Sequence, residues 1–156
     1  YYSETPGTAT HEENTDVVLK TIYGDNLTDF VSPTIFSNVF GDCLYGPFFD
    51  WKEKGTDADG NKIYTGYMNI NTRSDKFDEN SQVTNYDEII SALREALEKE
   101  GFKYSVENSD TTGGDTGRSD RYVCFIKGDV QIVVWNNFTK NFSIYFYKTG
   151  DWKLRK

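Results

Sequence analysis

An α+β fold, an antiparallel sheet with one main helix on one face and short N-terminal helices, is predicted by three features of this chain. The first is an amphipathic segment at 86–100; the second is a series of three alternating segments between 122 and 147. The third is a pair of aromatic segments, 47–53 and 62–69, joined by a polar stretch. With 156 residues the chain is long enough for one domain with its own core. Its 11 Tyr, 11 Phe and 3 Trp carry more bulky apolar surface than a disordered chain contains.

Residues 1–15 read as a disordered acidic tether and 16–156 as the single domain. The first sixteen residues hold four carboxylates, no Lys or Arg, and Pro6-Gly7, without hydrophobic periodicity. With no Met at position 1, two origins fit: a removed secretion or lipid-anchor segment, or a boundary chosen for expression. The first of these makes the expected location extracytoplasmic, either secreted or held at the cell envelope. Over 16–40, apolar residues recur at Val18, Leu19, Ile22 and Tyr23, then at Leu27, Phe30 and Val31. This predicts two or three short helices, the last with Ser32 as N-cap, Pro33 in its first turn and Gly41 just past its end.

The segments PFFDWKE (47–53) and KIYTGYMN (62–69) predict a hairpin. Residues 71–84 are polar and irregular. Asn85 and Glu88 then form a capping box, and Tyr86, Ile89, Ile90, Leu93, Ala96 and Leu97 fall on one side of a helix that Gly101 ends. FKYSVE (102–107) reads as a strand, and 108–120 as a mobile loop without an apolar residue. Three strands close the fold at 122–126, 130–135 and 142–147. Lys148, Lys153, Arg155 and Lys156, against the single Asp151, read as a solvated tail.

The turn Gly128-Asp129 sets the register of the last hairpin, because Gly takes the positive φ a two-residue turn needs. Lys127 then pairs with Val130, Phe125 with Ile132, Val123 with Val134 and Tyr122 with Trp135. One face is uniformly apolar. The other carries Tyr122, Cys124, Ile126, Gln131, Val133 and Trp135. Matching Phe142, Ile144 and Phe146 to the apolar face requires an odd connection, which the five residues 136–140 supply. The apolar face is expected to take the helix of 86–100. Tyr122, Gln131, Trp135, Tyr145 and Tyr147 share the other face. They form either a second core layer beneath the N-terminal helices and first hairpin, or a platform for a glycan, peptide or protein.

Other chemistry is sparse. GTDADGNKIYTG (55–66) spaces Asp57, Asp59 and Asn61 as a calcium loop would. Yet no frame supplies both the central Gly and the final Glu, so a turn is expected and weak calcium binding is the alternative. The only histidine, His11, lies in the expected tether, which leaves zinc or triad chemistry without a partner in the domain. TTGGDTGR lacks the ending of a phosphate loop, and no cofactor fingerprint is present. Cys43 and Cys124 read either as one disulfide closing a long loop or as two buried thiols. Sequons stand at Asn26, Asn137 and Asn141.

A net charge of −8 disfavours nucleic acid, and no apolar run reaches the roughly 20 residues a spanning helix needs. The expected function is a non-catalytic extracytoplasmic binding module with a protein or glycan partner. The competing classes are a small carboxylate-dependent glycan hydrolase, with Asp50 and Glu53 flanking Trp51, and an assembly role in which the tyrosine face docks a partner subunit.

Overall fold

The computed structural model describes residues 10–24, 34–41, 43–68, 70, 75–80, 83, 85–111, 120–137 and 142–154. In chain order these contain α1 (His11–Tyr23), α2 (Thr34–Phe40), β1 (Leu44–Pro47), β2 (Asp50–Thr56), β3 (Lys62–Tyr67) and α3 (Tyr86–Lys99). They continue with β4 (Lys103–Tyr104), a 3₁₀ turn (Val106–Asn108), β5 (Asp120–Lys127), β6 (Val130–Asn137) and β7 (Phe142–Lys148). Six strands form one antiparallel sheet in the order β2-β3-β7-β6-β5-β4, with the helices packed on it. The fold is α+β, as predicted.

The α3 boundaries follow from its sequence. Asn85 Oδ1 accepts from Glu88 N at 3.2 Å, and Asn85 Nδ2 donates to Glu88 Oε2 at 2.6 Å. Gly101, at φ 96°, ends the helix while its N–H and that of Phe102 return to Glu98 and Leu97 carbonyls. Leu93 and Leu97 are fully buried.

The register of the β5–β6 hairpin is the predicted one, and β7 joins it with the predicted parity. Tyr122 pairs with Trp135, Phe125 with Ile132, and Lys127 with Val130 around Gly128 at φ 56°. Ile132 faces Phe146 and Val134 faces Ile144, so the β7 apolar residues join the same face. Asn136 itself pairs with Phe142, which moves the five-residue connection to 137–141. Its odd length, and hence the parity, is unchanged.

Four expectations are corrected. The tether does not extend to residue 15: α1 begins at His11, capped by Thr10, whose Oγ1 accepts from Glu13 N at 3.1 Å. Its first turn is polar because it is solvated, with Glu12 and Glu13 suited to the positive end of the helix dipole. Thr15 faces inward, where its hydroxyl accepts from Phe49 N (3.3 Å) and Trp51 Nε1 (3.0 Å). Residues 1–9 and the Ser32-Pro33 start lie outside the described residues.

The strand expected over 102–107 stops at Tyr104. Ser105 N still reaches Cys124 O at 2.8 Å, but the 3₁₀ turn then leaves Val106 72% exposed. The loop expected from 108 starts later: Asp110 bridges Tyr122, and Ser109 Oγ accepts from Cys124 N at 3.0 Å. Residues 112–119 lie outside the described residues.

The N-terminal helices do not cover the tyrosine face. They join α3 on the apolar one, where Phe36 and Phe49 meet Phe146 at ring-centroid distances of 6.3 and 5.1 Å, and Phe40 meets Phe142 at 4.6 Å. Those phenylalanines are almost wholly apolar and fit an apolar sheet surface better than one edged with hydroxyls. Trp51 lies on the same side. A Cβ at Gly66 would stand 2.9 Å from its ring, so the absent side chain makes room for the indole.

Candidate functional site

Strand alternation places Tyr122, Trp135, Ser143, Tyr145 and Tyr147 on the face opposite the helices. The four rings are half-buried. What overlies part of this face is the chain's own segment 149–154. Thr149 N and Oγ1 bond to the carbonyls of Asp129 and Gly128 at 2.9 and 2.7 Å, and Leu154 N bonds to Asn108 Oδ1 at 3.1 Å. The expected solvated tail is therefore folded back on the sheet as far as Leu154; Arg155 and Lys156 lie outside the described residues.

Trp152 was missed by the sequence reading, yet it organises one end of this face. Its ring stands 5.6 Å from Tyr122 and 6.5 Å from Tyr147, which itself lies 6.3 Å from Tyr145. Tyr122 and Tyr147 belong to the strands flanking β6, so Trp152 spans β6 between them. Cys124 and Val133, at that level, are fully buried. A single Trp between charged residues near a chain end carries no periodic signal. Only a partner elsewhere could have marked it.

That partner is Gln131, whose expected role as a ligand-binding side chain is corrected. Gln131 is 1% exposed and clamps the returning segment. Its Nε2 donates to Trp152 O at 2.9 Å and approaches Cys124 Sγ at 3.4 Å, while its Oε1 accepts from Gly150 N at 2.9 Å. Both ends of the amide are spent inside the fold.

Trp135 is different. It pairs laterally with Tyr122 on one side and Ser143 on the other, with Tyr145 on the diagonal. Among the described residues it has no ring or hydrogen-bonding partner. The face thus divides, among the described residues, into a closed half, Tyr147–Trp152–Tyr122, and an open half centred on Trp135.

No disulfide joins the two cysteines. Cys43 packs against the core on the helical side, whereas Cys124 projects to the other face, and the sheet between them rules out the expected alternative of a bond. Burial pushes the Cys124 thiol up to about 11, which removes its reactivity at neutral pH. The stretch 57–61 is the turn of the β2–β3 hairpin. Asp57 Oδ1 accepts from Asp59 N (2.9 Å) and Asn61 N (2.8 Å), and Oδ2 accepts from Asn61 Nδ2 (3.3 Å). These bonds, the backbone N–H of Asn61 foremost, lower the Asp57 pKa and tie its carboxylate to the turn. Among the described residues no three His, Cys, Asp or Glu side chains converge into a metal-holding group.

Burial, with Tyr145 and Tyr122 adding to it, pushes the Tyr147 phenol up to about 12; Tyr23 and Tyr86 are also raised, chiefly by burial. A phenol whose folded pKa exceeds its unfolded value of 10.0 contributes stability that is intact below that pH. It is lost as pH rises through the folded value. Denaturant midpoints measured against pH should hold up to 10.0 and then fall, with the contribution of Tyr147 gone by about 12. A flat profile across that window would show these phenols to be solvated.

Comparison with protein-family models, curated proteins and solved structures gives no match to this chain. The site is therefore read from its own chemistry. No helix among the described residues is long and apolar enough to cross a membrane.

Proposed function

We propose that this chain is a non-catalytic binding module whose open sheet half, built on Trp135 with Tyr145 beside it and Tyr122 at its boundary with the closed half, takes a glycan. The observation that carries this reading is an indole with no ring or hydrogen-bonding partner among the described residues, on a face that α1, α2 and α3 all avoid. Sugar rings present an apolar C–H face and a polar rim, and a Trp flanked by phenols complements both. Polymeric glycans are met chiefly outside the cytoplasm, and an extracytoplasmic location is part of the proposal.

A defined glycan array identifies the ligand, and titration calorimetry of a hit measures it. Trp135→Ala should weaken that hit at least about tenfold, roughly 1.4 kcal/mol, without lowering the melting temperature by more than a few degrees. An array without hits, together with a dimer dissociated by the same substitution, would replace the glycan by a second subunit. Release of reducing ends from a bound polysaccharide would overturn the non-catalytic part.

A further inference from the structure

A second concavity lies away from Trp135, where the sheet comes apart. β3 and β7 meet at one register pair, Gly66 with Ile144, whereas β2–β3, β5–β6 and β6–β7 are zipped along their lengths. Beyond Gly66 the strands diverge toward the bulge between Glu53 and Gly55, leaving a cleft of about 400 Å³ closed at one side by the last turn of α1. Sheets rarely leave interior strands unzipped, because each forfeited main-chain bond costs about 1 kcal/mol.

The cleft has the chemistry of a strand edge. The Gly128-Asp129 turn makes Lys127 with Val130, and by alternation Gln131 with Tyr147, hydrogen-bonded pairs, so Phe146 and Lys148 are the residues whose main chain turns toward β3. Tyr147 O also accepts from the Tyr23 hydroxyl at 2.6 Å. In an antiparallel strand the N–H and C=O of one residue point the same way, so both main-chain groups of Phe146 lie on the β3 side. Ile22, Ile63 and Phe146 supply apolar wall and floor. At the rim stand Lys148 and Asp151, joined by a backbone turn (Asp151 N to Lys148 O, 3.0 Å). Among the described residues neither side chain is in an ion pair.

We infer that this cleft binds a short extended peptide with free termini, about two or three residues long at this volume, which extends the open edge of β7. The Lys148 ammonium receives its carboxylate, the Asp151 carboxylate its ammonium, and the apolar floor one side chain. This site is independent of the Trp135 platform, and each can fail without the other.

The test is an amide NMR titration of the whole chain with trialanine, in free and in acetylated, amidated form, and with cellobiose. Saturable shifts are expected at Ile63, Tyr64, Phe146 and Lys148 with free trialanine. Lys148→Met and Asp151→Asn, both exposed substitutions, should each weaken it about tenfold, as should capping the peptide, while Trp135→Ala leaves it unchanged. Absence of saturable shifts, equal shifts with cellobiose, or indifference to both rim substitutions would overturn the assignment.

Discussion

Phe146→Ala should lower the unfolding free energy by about 3–5 kcal/mol, the range for removing a buried ring from a core that cannot close over the gap. Phe146 is 2% exposed and contacts Phe36, Phe49 and Trp51 at centroid distances of 6.3, 5.1 and 5.5 Å. It therefore ties α2, the segment before β2, and β2 itself to the centre of the sheet. Removing it leaves three rings facing a void that β7 cannot fill, because its register is held by seven pairs with β6. Urea unfolding monitored by circular dichroism measures the effect. In a domain of this size each kcal/mol corresponds to about 2–4 °C, so the melting temperature should drop by some ~6–20 °C. A loss below about 1 kcal/mol would mean that the helical layer does not rest on this ring.

Gln131→Leu should cost about 2–3 kcal/mol and release the returning segment. The side chain keeps its volume and apolar stem but loses both bonds to the Gly150 and Trp152 backbone. Two results should coincide. Trp152 becomes more accessible to a fluorescence quencher, and trypsin cleaves faster after Lys153. Trp135→Ala leaves cleavage unchanged, since Trp135 does not touch the clamp. Unaltered stability together with unaltered cleavage after Lys153 would show that Trp152 is held by its ring contacts alone.

Much of the fold was legible because it is encoded locally. The Asn85–Glu88 pair, Gly101 and the apolar stripe define α3 within about fifteen residues of chain. Gly128-Asp129 fixes a hairpin register, and period-two alternation then assigns every side chain of β5 and β6 to a face. The Asp57 turn was legible for the same reason: its carboxylate bonds residues two and four positions on.

The candidate site was only half legible. Tyr122, Trp135, Tyr145 and Tyr147 could be placed on one face from alternation, but which rings stay open depends on what crosses that face. Gln131 looked like a ligand contact because a polar residue among rings on a strand usually meets solvent. Its actual partners lie 19 and 21 positions away and are backbone atoms. The first turn of α1 was hidden likewise, since Thr15 is marked as interior only by Phe49 and Trp51.

By itself, the sequence determined the helix, the hairpins, the register of the last hairpin and the division of the sheet into an oily and a ring-bearing face. Each of these follows from bonding and periodicity among near neighbours. Tertiary structure alone decided that the N-terminal helices join α3 on the oily face, that Trp152 closes half of the other, and that β3 parts from β7. Those outcomes are settled by competition between distant surfaces for burial, and no local pattern records which surface wins.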